Sequence, residues 1–180
     1  MEFSGKKVTV VGTGISGIGA VGLLNAVGAE VVLYDGNEKL KIEDIEKKLG
    51  TYKAEIVLGE LTKELTDSSD LLVISPGVPI DSPVVKAFEA AGVPVWGEVE
   101  LAYAFDKGKV LAITGTNGKT TTTALVGQIV GAYHKDTFVV GNIGNPYTTE
   151  VLKSNKDSYT VAEISSFQLE TVHEFQPLVS

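Results

Sequence analysis

Val8-Thr-Val-Val-Gly12-Thr-Gly14-Ile-Ser-Gly17 is the stretch on which the reading of the fold turns. A β-branched run breaks at a G-x-G-x-x-G turn and passes into a segment of small and apolar residues, the order of a strand, a tight turn and a helix. In that setting the first glycine permits the turn, the second lets phosphate oxygens approach the backbone, and the third lets the helix pack closely on the strand. Glu30 to Asp35 reads as the next strand, and Asp35 at its end lies where an acidic side chain receives ribose hydroxyls. The residues alone also allow glycines that serve packing and bind nothing.

Outward from this unit, Lys7 to Gly12, Glu30 to Asp35, Glu55 to Leu58, Asp70 to Ser75 and Val93 to Trp96 read as strands, each followed by a turn signal or a helix. Such alternation implies an α/β fold with a parallel sheet covered by helices on both faces. A helix is expected from Glu38 to Leu49, where Lys and Glu alternate as on a solvated face. The first domain is placed at residues 1–96 and a second at 97–180. The second opens with a helix from Glu98 to Phe105, a strand from Lys109 to Thr114, a helix to Gly131, and strands from Thr137 to Val140 and Ser158 to Ile164. Phe175-Gln-Pro-Leu-Val-Ser180 reads as the approach to a further strand, so this domain is expected to be incomplete.

Its first strand ends in Ile113-Thr-Gly-Thr-Asn-Gly-Lys-Thr-Thr121. Amides freed by Gly115 and Gly118 can point at phosphate oxygens, and the following helix adds its partial positive charge. Lys119 would neutralise the β and γ phosphates, and Thr120 would offer a hydroxyl to Mg²⁺. Only Thr116 and Asn117 separate the two glycines, against four residues in the common pattern. Glu163 stands late in an apolar strand, where an ionised carboxylate is costly unless paired or on a metal, so it is either a Mg²⁺ ligand or a strand end in solvent. Asn142, in Gly141-Asn-Ile-Gly144, can offer amide donors and acceptors. Ser75-Pro-Gly-Val-Pro79, by residue type, is a Pro-Gly turn at a strand's carboxyl end.

Composition narrows the partners. The 180 residues are 43% hydrophobic and 21% charged, with a net charge of −8 and a pI near 4.8. A basic nucleic-acid surface or a patch for anionic membranes is therefore not expected. No residue from Val8 to Ala29 is charged, yet six glycines interrupt the stretch, which suits a strand and a buried helix better than a membrane span. The start shows no signal-peptide pattern, and a cytoplasmic location is expected. Without cysteine there is no disulfide or thiolate chemistry. His134 and His173 are isolated and read as surface or satisfied residues.

Two phosphate loops in one chain argue against simple nicotinamide chemistry, which has no use for a separate triphosphate cradle. Thr114-Gly-Thr-Asn-Gly-Lys-Thr120, Gly141-Asn-Ile-Gly144, Ser75-Pro-Gly77 and Glu163-Ile-Ser-Ser-Phe-Gln-Leu-Glu170 together resemble the amino-terminal part of the Mur ligases, over all 180 residues. The Ser-Ser-Phe-Gln-Leu-Glu run is most similar to the member that adds D-glutamate.

The resemblance implies a Rossmann-like first domain that binds a UDP-linked substrate, and a truncated P-loop-type ATP-binding central domain. Ile15, Ser16, Asp35, Ser75, Gly77 and Asn142 would contact UDP-N-acetylmuramoyl-L-alanine. Gly115, Thr116, Asn117, Gly118, Lys119, Thr120 and Thr121 would hold ATP, with Lys119 catalytic and Thr120 and Glu163 on Mg²⁺. The implied reaction is ADP-forming ligation in peptidoglycan precursor synthesis, and so in cell-wall biogenesis, cell division and cell shape, with D-glutamate as the second substrate. Gly36 and Asn37 stand where some members carry Thr and Arg. A histidine and a carbamylated lysine that help bind a second Mg²⁺, and a carboxyl-terminal domain, would lie beyond these residues, so the chain alone is expected not to ligate. A monomer is expected, with the open sheet edge offering a route to self-association. The competing readings are a sibling ligase with another amino acid, an NAD-dependent oxidoreductase, and a nucleotide-binding module without chemistry.

Overall fold

Strand and helix alternate throughout the computed structural model, which describes residues 2–142 and 144–180. The chain divides into two compact units, Met1–Glu98 and Val99–Ser180, two residues beyond the boundary expected from the sequence.

The first unit runs β1 (Lys7–Val11), α1 (Ile15–Ala26), β2 (Glu30–Asp35), α2 (Ile42–Leu49), β3 (Glu55–Leu58), α3 (Lys63–Ser68), β4 (Leu71–Ile74), α4 (Pro83–Ala90) and β5 (Val95–Gly97). Its five strands lie in the order β3-β2-β1-β4-β5, and every pairing is parallel. Both faces are buried, as a parallel sheet flanked by helices requires. Val11, Val32, Tyr34, Leu72 and Ile74 share one face and pack with Leu65 of α3 and Val85 and Phe88 of α4. Val8, Val10 and Leu33, of opposite parity, bury the other face, where α1 lies against β1 and β2.

α2 begins at Ile42, four residues after the expected start at Glu38. The cause is local hydrogen bonding. The Asp35 carboxylate accepts from the Asn37 amide at 3.1 Å and the Asn37 side chain from the Lys39 amide at 3.1 Å. These Asx turns give the backbone an alternative to helix. Once formed, α2 buries Ile45 and Leu49 and places Glu43 and Asp44 in its first turn and Lys47 and Lys48 in its last, as the helix dipole favours.

The second unit begins within α5 (Glu98–Tyr103) and continues β6 (Lys109–Ile113), α6 (Lys119–Tyr133), β7 (Thr137–Gly141), α7 (Tyr147–Glu150), β8 (Tyr159–Glu163) and α8 (Ser166–Leu169). The strands lie in the order β6-β8-β7, again parallel. Past β6, a parallel bridge pairs Leu111 with Val179, the Ala112 amide donating to the Val179 carbonyl at 2.9 Å and the Leu178 amide to the Val110 carbonyl at 2.7 Å, so the expected approach to a further strand is present as a short pairing.

Two carboxylates organise this unit, Asp106 half-buried and Glu100 buried. Asp106 accepts from the Tyr147 and Thr160 hydroxyls and the Gly108 amide, each at 2.7 Å. Burial, with Asp106 beside it, raises the Tyr147 hydroxyl well above its ordinary pKa and keeps it a donor. Glu100, 2% exposed, accepts from the backbone amides of His173, Glu174 and Phe175 at 2.9, 2.8 and 3.2 Å. One turn along α5, the Tyr103 hydroxyl donates to the Gln176 carbonyl at 2.9 Å and its ring meets Phe175 edge-on. α5 thereby fixes the segment that delivers Val179 to β6. The α6 stripe Leu125, Ile129 and Tyr133 is exposed.

Candidate functional site

In the first unit, the strand order reverses direction between β1 and β4, and the loops after both strands emerge at that switch point, where open α/β sheets take ligands. Gly12 leaves β1 with φ +106°, a conformation that glycine adopts without a Cβ penalty. A Cβ there would come within 2.8 Å of the Ser75 hydroxyl, and a Cβ on Gly17 would collide with the Gly12 carbonyl oxygen. Gly14 differs: a Cβ there would meet nothing within 4 Å. It caps α1 without a side-chain bond, and no acidic residue follows in the first turn. The first amides of α1 thus open onto the rim beside Ile15, which is 80% exposed, and Ser16.

Asp35 is turned into this loop. Its Oδ2 accepts from the Thr13 amide at 3.3 Å and the Thr13 hydroxyl at 3.0 Å. The carboxylate therefore braces the cradle, besides any bond to a ribose that its remaining lone pairs could accept. The Lys48 ammonium donates to the Thr13 carbonyl at 3.3 Å from the opposite end of α2. Neither Thr13 nor Lys48 stands out in the sequence: the first looks like spacer, and the second belongs to an alternating charged helix. Across the switch point, the Ser75 hydroxyl is buried without a hydrogen-bond partner, while Gly77 is exposed on the same turn. A buried hydroxyl left unpaired costs stability, and a ligand that bonds it recovers that cost.

In the second unit, β6 passes into Thr114–Gly118 and then α6. Gly115 and Gly118 have φ of +142° and +78°. Thr116, Asn117, Thr120 and Thr121 are exposed around the loop, and the first turn of α6 holds no acidic residue. The Lys119 ammonium lies back over the loop and donates to the Gly115 carbonyl at 2.7 Å.

Glu163 ends the central strand, in register with Ile113 on one side and Gly141 on the other. It is 4% exposed, and its Oε2 is buried without a hydrogen-bond partner. The solvent-exposed strand end is thus excluded for this carboxylate. A Cβ at Gly141 would strike the Glu163 carbonyl, so the close approach of β7 to β8 here requires glycine. The Asn142 amide donates to that carbonyl at 3.2 Å, and its side chain is exposed at the same carboxyl edge. Ile143 lies outside the described residues. Next in the chain, Ser165 and Gln168 form a reciprocal capping box that starts α8.

Among the described residues, no three His, Cys, Asp or Glu side chains gather to hold a metal. One carboxylate and one hydroxyl suit Mg²⁺, which keeps several waters and takes phosphate oxygens for the rest of its shell. His134 stacks on Tyr159 with ring centroids 4.2 Å apart, and the His173 amide serves Glu100. No helix among the described residues is long and apolar enough to cross a membrane.

Comparison with known proteins adds to this geometry. Residues 6–97 match the family described as Mur ligase MurD-like, N-terminal domain, and residues 113–179 the family described as Mur ligase middle domain. A Lachnospira eligens protein named UDP-N-acetylmuramoylalanine--D-glutamate ligase is 70% identical over 180 residues, 100% of this chain and 40% of that protein. One of the same name from Lachnoclostridium phytofermentans is 58% identical, again over 100% of this chain and 40% of its own length. Among solved structures, the UDP-N-acetylmuramate:L-alanyl-gamma-D-glutamyl-meso-diaminopimelate ligase from Neisseria meningitides aligns with a TM-score of 0.53 at 20% identity, over 89% of this chain and 52% of that one. That likeness bears on the fold. The chain spans 40% of the length of the curated relatives it matches.

Proposed function

Because the chain belongs to the Mur ligase family, we propose that it is the part of a D-glutamate-adding ligase that recognises UDP-N-acetylmuramoyl-L-alanine and ATP with Mg²⁺. The names of its relatives support the amino acid. The observation that carries the nucleotide half is the orphaned Glu163 oxygen, buried at the end of the central strand, in register with the residue from which the Gly-Lys loop springs.

ATP supplies the phosphoryl group that converts the L-alanyl carboxylate to an acyl phosphate, with ADP leaving; the D-glutamate amine then attacks the carbonyl carbon, and phosphate departs as the amine loses its proton. In this chain, the amides around Gly115 and Gly118 and the N-terminus of α6 would hold phosphate oxygens. Lys119 would leave the Gly115 carbonyl for the transferring phosphoryl group and offset the charge that spreads over it. Thr120 and Glu163 would hold Mg²⁺. Ile15, Ser16, Asp35, Ser75, Gly77 and Asn142 are assigned to the UDP-linked substrate. These 180 residues are assigned recognition, turnover belonging to a protein of the relatives' full length that works as a cytoplasmic monomer.

The test is calorimetric binding of a non-hydrolysable ATP analogue with and without Mg²⁺. Binding that depends on Mg²⁺ is expected. Lys119→Ala should weaken it by about tenfold or more, the scale of a charge-assisted hydrogen bond. Glu163→Gln should remove most of the Mg²⁺ dependence. Equal binding by all three proteins would contradict the assignment.

A further inference from the structure

Each glycine loop has a lysine parked on one of its own carbonyls. In the second unit, Lys119 rests on Gly115 at 2.7 Å. In the first, Lys48 reaches Thr13 at 3.3 Å from 35 positions further along the chain. The sequence holds 15 lysines and no arginine, so any permanent cation offered to a ligand is a lysine.

Lys48 is the lysine whose ammonium is bonded to the first loop. Ion pairs among the described residues join Lys6 to Asp70, Lys47 to Asp44 and Lys153 to Glu150; Lys48 has no carboxylate within that range. An ammonium has three donors, and a neutral carbonyl occupies one. The nearby Asp35 carboxylate is already bonded to Thr13 and Asn37. Lys48 is exposed, so it can move at little cost, while its acceptor is held by the Asp35 brace. The last turn of α2 also favours a cation for its own dipole, a stabilising role that a test must separate from binding.

We propose that Lys48 is the phosphate-reading cation of the first unit: it leaves the Thr13 carbonyl and meets the diphosphate of the nucleotide-linked substrate at the open amides of α1. The proposal rests on the reading of this unit as a UDP-substrate domain. It gives the unit a cation from α2, in a chain where Gly36 and Asn37 follow Asp35.

The test is titration calorimetry of the 180-residue chain, Lys48→Gln and Lys48→Arg with UDP-N-acetylmuramoyl-L-alanine at low and high KCl, with a thermal melt of each protein. Lys48→Gln should bind about tenfold more weakly at low salt and show a flatter salt dependence than the parent. Lys48→Arg should stay within about threefold of the parent, since it keeps the charge. Melting temperatures should differ by no more than the few degrees that an exposed charge at a helix end contributes. Unchanged affinity and salt slope in Lys48→Gln would overturn the proposal alone. So would an equal loss at both salt concentrations with a lowered melting temperature, which is the mark of a structural role. No binding by the parent would overturn the UDP reading, and the proposal with it.

Discussion

Gly14 and Gly17 stand three positions apart in one motif and answer to different forces. A methyl group on Gly17 would collide with the Gly12 carbonyl, so α1 would have to move away from β1. A methyl on Gly14 would enter open space, at a backbone φ of −78° that alanine adopts freely. Gly17→Ala should therefore lower stability by about 1–3 kcal/mol, as overpacking does, read by denaturant unfolding. Gly14→Ala should unfold like the parent and lose affinity for the UDP-linked substrate, because the added methyl stands where phosphate would approach. Equal stability of the two variants would contradict this division. The sequence motif names all three glycines and cannot say which serve packing. Nor does it show that Glu163 is buried: a carboxylate near a strand end is equally at home in water, and only its place on the central strand settles the matter. Lys48 was hidden for a related reason, since one lysine of a charged helix looks like the next until the fold sets it against a loop.

At the scale of elements, the long strands are legible because β-branched runs interrupted by glycine admit few other conformations. The four-residue helices are not. Four residues, as in α7 and α8, carry no apolar period, and the capping box of α8 is written in residues that also make turns. The start of α2 is displaced by the Asx turns of Asp35 and Asn37, the same carboxylate that braces the candidate site. α5 shows how a short helix can matter through one side chain. Glu100 accepts from three successive amides of a segment outside the strands and helices, and holds the segment that bridges to β6. Glu100→Ala should cost about 2–4 kcal/mol, from buried donors left unpaired. Amide exchange should locate the effect: protection at His173, Glu174, Phe175 and Leu178 should fall, while the first unit's strands keep theirs. Unaltered protection in this segment would contradict the clamp.

At the scale of the molecule, the chain presents two glycine loops in two compact units, each at the carboxyl edge of its own parallel sheet. With a net charge of −8, the chain can offer an anion only local means: helix N-termini, glycine-freed amides and one lysine bonded to each loop. The glycine fingerprint of the first unit is shared in form with nicotinamide-binding domains, and the fold alone does not separate the two uses. The ligand does. The most direct measurement is calorimetric titration of the 180-residue chain with UDP-N-acetylmuramoyl-L-alanine and, in parallel, with NADH. Saturable binding of the UDP compound with no heat from NADH is the predicted result; binding of NADH with no response to the UDP compound would contradict the account.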